Sequence, residues 1–95
     1  MSAYVIVDIE VTDPVRYETY KQMAPPAVAA YGGKYLARGG QTEVVEGDWH
    51  PNRLVILEFP SLEQARAWID SPEYGPARAL RQQSATSNMV FVTGV

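Results

Sequence analysis

Residues 3–11 read Ala3-Tyr4-Val5-Ile6-Val7-Asp8-Ile9-Glu10-Val11, and every odd-numbered side chain in this stretch is apolar. An alternation with a period of two predicts a β-strand that has one face against a hydrophobic core. The even-numbered face is mixed, since Tyr4 and Ile6 are largely apolar whereas Asp8 and Glu10 are acidic. We therefore expect this second face of the sheet to be covered as well, by another subunit.

Capping and spacing patterns predict three helical segments. Asp13-Pro14 is typical of a helix N-cap and first turn, and apolar residues at helical spacing continue to Tyr31. Pro25-Pro26 is expected to kink that helix or to divide it in two. The capping-box spacing of Ser61 and Gln64 starts a second helix. Ser71-Pro72 is expected to start a third.

Four further strands are predicted at residues 34–38, 42–46, 53–59 and 88–95. The resulting order is strand, helix, two or three strands, helix pair and strand. That order is typical of the ferredoxin-like βαββαβ fold of the α+β class, an antiparallel sheet with helices on one face. A half-apolar bare face in so small a domain predicts a homodimer that forms through the sheet faces.

Length and charge restrict the possible partners. The 95 residues suffice for a single domain, residues 1–95, with a modest core. The net charge is −3 and the eight Lys and Arg residues are scattered, which argues against nucleic-acid binding. The N-terminal residues enter a strand pattern with no basic region and no long apolar segment. We therefore expect no signal peptide, no membrane partner and a cytoplasmic location.

The residue types that are missing exclude several kinds of site. The chain has no cysteine and only one histidine, His50. It therefore lacks a thiolate nucleophile, a disulfide and the usual His-rich zinc or two-His iron site. A Gly-x-Ser-x-Gly elbow, a phosphate-binding loop and a dinucleotide fingerprint are absent too. We expect neither a metal nor a cofactor.

Glu58 is the one charged residue in the apolar run 54–59. An unpaired, desolvated carboxylate in such a strand is a candidate general acid or base. The favoured alternative is a structural ion pair, with Arg38 as the expected partner, because glutamate is rarely buried unpaired. Arg38 precedes Gly39-Gly40, which would leave space for a planar anionic ligand at its guanidinium group. A solvent-exposed arginine at the edge of the sheet is an equally good interpretation.

Four aromatic residues, Tyr17, Tyr20, Trp68 and Tyr74, are candidate ligand-binding residues. Their hydroxyl and indole groups need hydrogen-bond partners, and pockets with a few convergent polar groups are typical of small-molecule sites. Aromatic residues at helical spacing are more often part of the core, which is the favoured interpretation. His50 lies in a predicted loop and is a candidate proton carrier, although solvent-exposed loop histidines are far more common.

Several segments together resemble the family known as domain of unknown function 1330, within the dimeric α+β barrel superfamily. They span essentially the whole chain and are residues 8–14, 31–40, 46–49, 57–60, 65–68 and 70–74. The resemblance implies a ferredoxin-like monomer whose sheet faces that of a second copy. It implies no activity, since members of the wider superfamily range from cofactor-free monooxygenases and isomerases to haem-degrading proteins. In a relative of the haem-binding barrels, His50 would be a candidate axial ligand.

The functional hypothesis is a small-molecule-binding homodimer with a pocket between the helices and the sheet. If it is an enzyme, we expect cofactor-free isomerisation or oxygenation of a small anionic or aromatic compound. Glu58 would then move a proton and Arg38 would hold the anion. The alternative is a non-catalytic dimeric module whose polar interior residues only fix the packing of the elements.

Overall fold

Seven elements follow one another along residues 1–95, all of which this computed structural model describes. They are β1 (Ala3–Val11), α1 (Pro14–Ala30), β2 (Lys34–Arg38), β3 (Arg53–Phe59), α2 (Leu62–Ile69), α3 (Gly75–Ser84) and β4 (Ala85–Thr93). The strands form one sheet in the order β2-β3-β1-β4, and every neighbouring pair is antiparallel. The predicted ferredoxin-like α+β fold is confirmed.

The alternation in β1 separates the two faces of the sheet as expected. Ala3, Val5, Val7 and Ile9 are each less than 5% exposed and lie in the core beneath the helices. The even-numbered side chains point to the opposite face, which no helix covers, and this open face is partly solvent-exposed. The helices contribute apolar buried residues to the same core: Tyr17, Ala24, Ala27, Val28, Ala65, Trp68 and Ala77.

Helix α1 begins where the capping pattern places it, because the Asp13 carboxylate accepts a hydrogen bond from the backbone N–H of Arg16 at 3.2 Å. Of the two outcomes expected at Pro25-Pro26, a kink or a division of the helix, the division does not occur. The helix continues to Ala30. A proline at position 25 has no N–H to offer the carbonyl of Lys21, four residues earlier. That carbonyl accepts a hydrogen bond from the Arg38 guanidinium instead, at 2.5 Å.

The predicted strand at 42–46 is wrong, since residues 39–52 form an irregular connection between β2 and β3. Two hydrogen bonds fix this connection over the open face of the sheet. The indole N–H of Trp49 and the backbone N–H of Asn52 both donate to the Asp8 carboxylate, each at 2.9 Å. Residues 42–46 pair with no strand of the sheet, and they are exposed.

Two other boundaries differ from the prediction for local reasons. Helix α3 begins at Gly75 rather than beside Pro72, because the Ser71 hydroxyl accepts a hydrogen bond from Tyr74 N at 3.0 Å and closes a turn first. Strand β4 begins at Ala85 rather than at Asn88, since its pairing with β1 extends back to the Val11–Ala85 pair.

None of the helices is both long enough and apolar enough to cross a membrane.

Candidate functional site

A narrow cleft lies between the helices and the core face of the sheet. The four aromatic residues predicted to bind a ligand, Tyr17, Tyr20, Trp68 and Tyr74, line it together. Its free volume is about 20 Å³. That is room for about one water molecule. In this conformation the aromatic rings fill most of the space that a ligand would occupy.

The aromatic residues of the cleft form a continuous packed row. The ring centroids of Trp68 and Tyr74 are 4.4 Å apart, those of Tyr20 and Tyr74 are 6.5 Å apart, and those of Tyr17 and Tyr20 are 5.2 Å apart. Such spacings are typical of stabilising aromatic contacts. Trp68 and Tyr74 are almost completely buried, as the core interpretation of these residues requires. The same side chains are therefore both core and cleft wall.

One donor in this row has no partner. The indole Nε1 of Trp68 is buried and makes no hydrogen bond. A buried N–H without an acceptor costs free energy, about 1–3 kcal/mol, so unpaired groups of this kind are rare and call for an explanation. A hydrogen-bond acceptor in the cleft, from water or from a ligand, would remove this cost.

Tyr20 and Tyr74 share a hydrogen bond of 2.8 Å between their hydroxyl oxygens. Burial raises the pKa of Tyr20 far above its ordinary value of 10.0, and the neighbouring Tyr74 phenol raises it further. Burial also raises the pKa of Tyr35, which lines the same cleft. Tyr20 and Tyr35 are therefore neutral at physiological pH, and each keeps a phenol proton that it can donate to a ligand.

Arg53 supplies a positive charge to the cleft that the sequence arguments did not identify. Its Nε donates to the Tyr17 hydroxyl at 3.2 Å, and its guanidinium carbon lies 5.6 Å from the Tyr17 ring centroid. Gly39 has a φ of +69°, and a Cβ atom there would clash with Arg53 Nη1. The space expected around Arg38 from Gly39-Gly40 is therefore occupied, at Gly39, by Arg53.

Arg38 also lines the cleft, at its exposed edge. Its guanidinium carbon lies 4.7 Å from the Tyr35 ring centroid, and it donates to the Lys21 carbonyl. The expected ion pair between Arg38 and Glu58 does not form. Arg38 stabilises the proline-containing part of α1 and lies beside the aromatic row.

Glu58 lies on the open face of the sheet, away from the cleft. Its carboxylate pairs with Lys34 Nζ at 3.3 Å, and the side chain is 21% exposed. The Ser2 hydroxyl and the Lys34 ammonium hold the pKa of Glu58 below its ordinary value of 4.5. A general acid at neutral pH needs the opposite shift. The structure thus gives Glu58 the surroundings of a structural ion pair, with Lys34 in place of Arg38.

His50 is exposed in the connection 39–52 and makes no hydrogen bond or ion pair with its side chain. It does not line the cleft. No group of three or more histidine, cysteine or carboxylate side chains is arranged to hold a metal ion. The structure therefore brings Arg38 together with Tyr17, Tyr20, Trp68 and Tyr74 but leaves Glu58 and His50 outside.

Alternation along β3 is the pattern that separates the residues on the cleft side of the sheet from those on its open face. Arg53 shares a face with Val55, Leu57 and Phe59, which are buried, whereas Glu58 lies on the other face with Leu54 and Ile56. No Asp or Glu residue lines the cleft. A wall of neutral phenols, guanidinium groups and one unpaired indole N–H is suited to stabilising negative charge on a bound oxygen.

Solved structures with the same fold are known. A protein of unknown function from Rhodopseudomonas palustris, RPA0582, matches with a TM-score of 0.77 and 19% identity over 99% of this chain and 82% of that one. SnoaB, a cofactor-independent oxygenase from Streptomyces nogalater, matches with a TM-score of 0.63 and 15% identity over 99% and 93%. A dimeric ferredoxin-like protein of unknown function from Thermobifida fusca matches with 0.60 and 14% over 97% and 90%.

At these identities the likeness shows the fold alone. A search of functionally curated proteins gave no significant match. The family resemblance seen in the sequence is confirmed, because a family model matches residues 2–95. The chain belongs to the family described as domain of unknown function (DUF1330).

Proposed function

We propose that the protein binds a small planar compound with an acidic oxygen or an enolisable ketone in the aromatic cleft, and that it promotes cofactor-independent proton transfer or oxygenation there. The observation that carries the proposal is the unpaired, buried Nε1 of Trp68 in a cleft without carboxylates. A ligand oxygen that accepts from this N–H would carry increasing negative charge as the substrate ionises, so the contact would strengthen in the transition state.

The neighbouring groups support the same chemistry. Tyr20 is a neutral donor, and Arg53 and Arg38 add positive charge to the walls. The cleft therefore lowers the free energy of an enolate or phenolate, while the proton leaves to water because no carboxylate or histidine lines the cleft. In an oxygenation at a methylene carbon, the resulting carbanion supplies the electrons to molecular oxygen. One oxygen atom forms the new carbonyl group and the other leaves as water.

Ligand entry requires the cleft to open, since its free volume is about 20 Å³. Arg38 lies at the exposed edge and is held only by the Lys21 carbonyl and the Tyr35 ring. The Tyr20–Tyr74 hydrogen bond crosses the interior. We expect ligand binding to move the Arg38 side chain and to exchange the phenol–phenol contact for phenol–ligand contacts.

The test of this function is oxygen uptake with anthrone, a planar ketone with an acidic methylene group, measured with an oxygen electrode. We expect turnover by the wild-type protein. Trp68→Phe, which removes the N–H and keeps a ring, should lower the rate at least about tenfold, because one hydrogen bond to a charged oxygen contributes about 1.5–3 kcal/mol. The matched control is Trp49→Phe, outside the cleft. Equal rates for the two variants, or no uptake above the uncatalysed reaction, would contradict the proposal.

A homodimer through the open sheet faces is part of this proposal. Leu36, Val90 and Val92 are 52%, 58% and 46% exposed on that face or its edge, so apolar side chains are available there for contact with a partner. The similar protein from Thermobifida fusca is described as dimeric. A second copy that packs its own open face here would bury these side chains.

The second candidate function is a non-catalytic dimeric module. Its support is the small free volume of the cleft and the complete burial of Trp68 and Tyr74, which are the properties of an ordinary core. Under this alternative, planar acidic compounds neither bind nor react, while the dimer persists. Ligand binding to the cleft separates the two candidates.

A further inference from the structure

We propose that a second site, where α3 meets β4 at the edge of the sheet, binds a small organic anion through the buried guanidinium of Arg81. The site is an open groove of about 530 Å³, which we call the Arg81 groove. Its polar wall consists of Arg78, Arg81, Gln82, Thr86 and Ser87. This volume is in the range of small-molecule sites.

Arg81 carries an uncompensated charge. The residue is 7% exposed, yet its side chain makes no ion pair and no hydrogen bond within the chain, and its Nε is buried without a partner. A guanidinium group stays protonated at any physiological pH. A buried charge is expensive unless an opposite charge or hydrogen bonds compensate it. An anion in the groove would supply both.

Two more donors at the groove are in the same condition. Arg78 Nε and Ser87 Oγ are buried and without partners. Arg78 uses its Nη1 for the Asp70 carboxylate at 2.9 Å and for the Ile69 carbonyl at 3.1 Å, so its Nε remains free. Three residues of α3 and β4 that each carry a buried, unpaired donor atom therefore line one groove, and no carboxylate lines it.

The charge at the groove is positive. Arg78 and Arg81 contribute two positive charges, and Asp70, paired with Arg78, offsets one of them. Carboxylate and phosphate oxygens match the planar array of guanidinium donors, which makes arginine the preferred residue for binding them. The recognised group is therefore a carboxylate or a phosphate.

Part of the groove lining is apolar and includes Ile69, Met89 and Phe91. A free inorganic ion would leave this lining wet, whereas an organic anion would cover it with its apolar part. The inferred ligand class is thus an aromatic or short aliphatic carboxylate or phosphate ester. Met89 lines both this groove and the aromatic cleft, whereas Arg78, Arg81 and Ser87 line the groove alone.

The experiment is a thermal-shift and calorimetric titration of the wild-type protein with benzoate, phenyl phosphate, inorganic phosphate and neutral benzamide, all at constant ionic strength set with chloride. We expect benzoate or phenyl phosphate to raise Tm and to bind with saturation, and benzamide to do neither. Inorganic phosphate should bind at least tenfold more weakly than phenyl phosphate. Equal effects of benzamide and benzoate, or equal binding of the two phosphates, would overturn the inference.

Four variants locate the effect. Arg81→Met should abolish the benzoate-dependent shift, and Ser87→Ala, which removes one small buried hydroxyl, should weaken binding severalfold even if the Arg81 variant fails to fold. The matched control is Arg66→Met, an exposed arginine on α2. Because benzoate also falls within the ligand class proposed for the aromatic cleft, Trp68→Phe separates the two sites and should leave the Arg81- and Ser87-dependent benzoate binding in place. Loss of benzoate binding in Trp68→Phe together with its retention in Ser87→Ala would place the anion in the aromatic cleft and overturn the proposed site.

Discussion

At the scale of single residues, alternation along β3 determines whether a candidate side chain on this strand faces the cleft or the open face of the sheet. The sequence predicts Glu58 in an apolar strand, and the structure confirms that strand but directs the carboxylate to the open face beside Lys34. The favoured interpretation of Glu58 as a paired carboxylate fits its surroundings, although the partner was wrong. Arg53 is difficult to identify from the sequence because it is the first residue of its strand, where a charged side chain is usually solvent-exposed.

Substitution of Glu58 tests the ion pair through its pH dependence. The pKa of Glu58 is lower in the folded protein than its ordinary value of 4.5, so the ionised side chain stabilises the folded state above that pH. The contribution is lost as the pH falls through the lower, folded-state pKa. Glu58→Gln should therefore be less stable than wild type at pH 7, and the two should converge once the pH falls below the folded-state pKa of Glu58. Urea unfolding measures the difference, and a gap that widens in acid would contradict it.

Gly39 tests the position of Arg53. An alanine at a φ of +69° costs about 1–2 kcal/mol, and its Cβ would displace the Arg53 guanidinium from the Tyr17 hydroxyl. Gly39→Ala should therefore lower the free energy of unfolding by at least that amount. Gly40→Ala is the matched control, because a Cβ atom there meets nothing within 4 Å. Equal stability of the two variants would show that Gly39 is not constrained.

At the scale of elements, α1 shows why a proline pair, which predicts either a kink or the end of a helix, does not have to end it. A proline inside a helix leaves one carbonyl without its donor, and sequence spacing alone does not show whether another group replaces that donor. Here the strand β2 brings Arg38 to the Lys21 carbonyl. The wrong prediction of a strand at 42–46 has the same cause. The hydrogen bonds of Trp49 and Asn52 to Asp8 hold this connection, and they are long-range contacts that sequence spacing does not reveal.

A double-mutant cycle tests the replacement of the donor. Arg38→Met should cost about 0.5–1.5 kcal/mol in the wild-type background, because it removes the exposed hydrogen bond to the Lys21 carbonyl. In the Pro25→Ala background the new N–H of residue 25 reaches that carbonyl, so the same substitution should cost much less. The free energy of unfolding in urea gives the coupling. Equal costs in the two backgrounds would contradict the role assigned to Arg38.

At the scale of the whole molecule, the order of elements and the two faces of the sheet were predictable because they depend on local periodicity. The contents of the cleft were predictable as a set of aromatic residues but not as a geometry. Which hydroxyl meets which guanidinium depends on how α1 packs on β3, and no pattern within one segment carries that information.

The proposed dimer gives a prediction at this scale. Val90→Glu places a charge on the open face, where a second sheet would bury it, and should shift the molecular mass in light scattering from dimer to monomer at micromolar concentration. Val15→Glu is the matched control, since Val15 is 82% exposed on α1. A wild-type monomer, or an unchanged dimer in Val90→Glu, would contradict the sheet-to-sheet arrangement.

The most direct test of the cleft uses the two tryptophans of the chain. Their indole N–H groups give two resonances in a ¹H–¹⁵N NMR spectrum, which Trp68→Phe and Trp49→Phe assign. During titration with 2-naphthol, a planar acidic phenol, we predict a saturable downfield shift of the Trp68 resonance as its unpaired N–H gains an acceptor, while that of Trp49 stays in place. An unmoved Trp68 resonance at saturating 2-naphthol would contradict the proposal that this cleft binds such compounds.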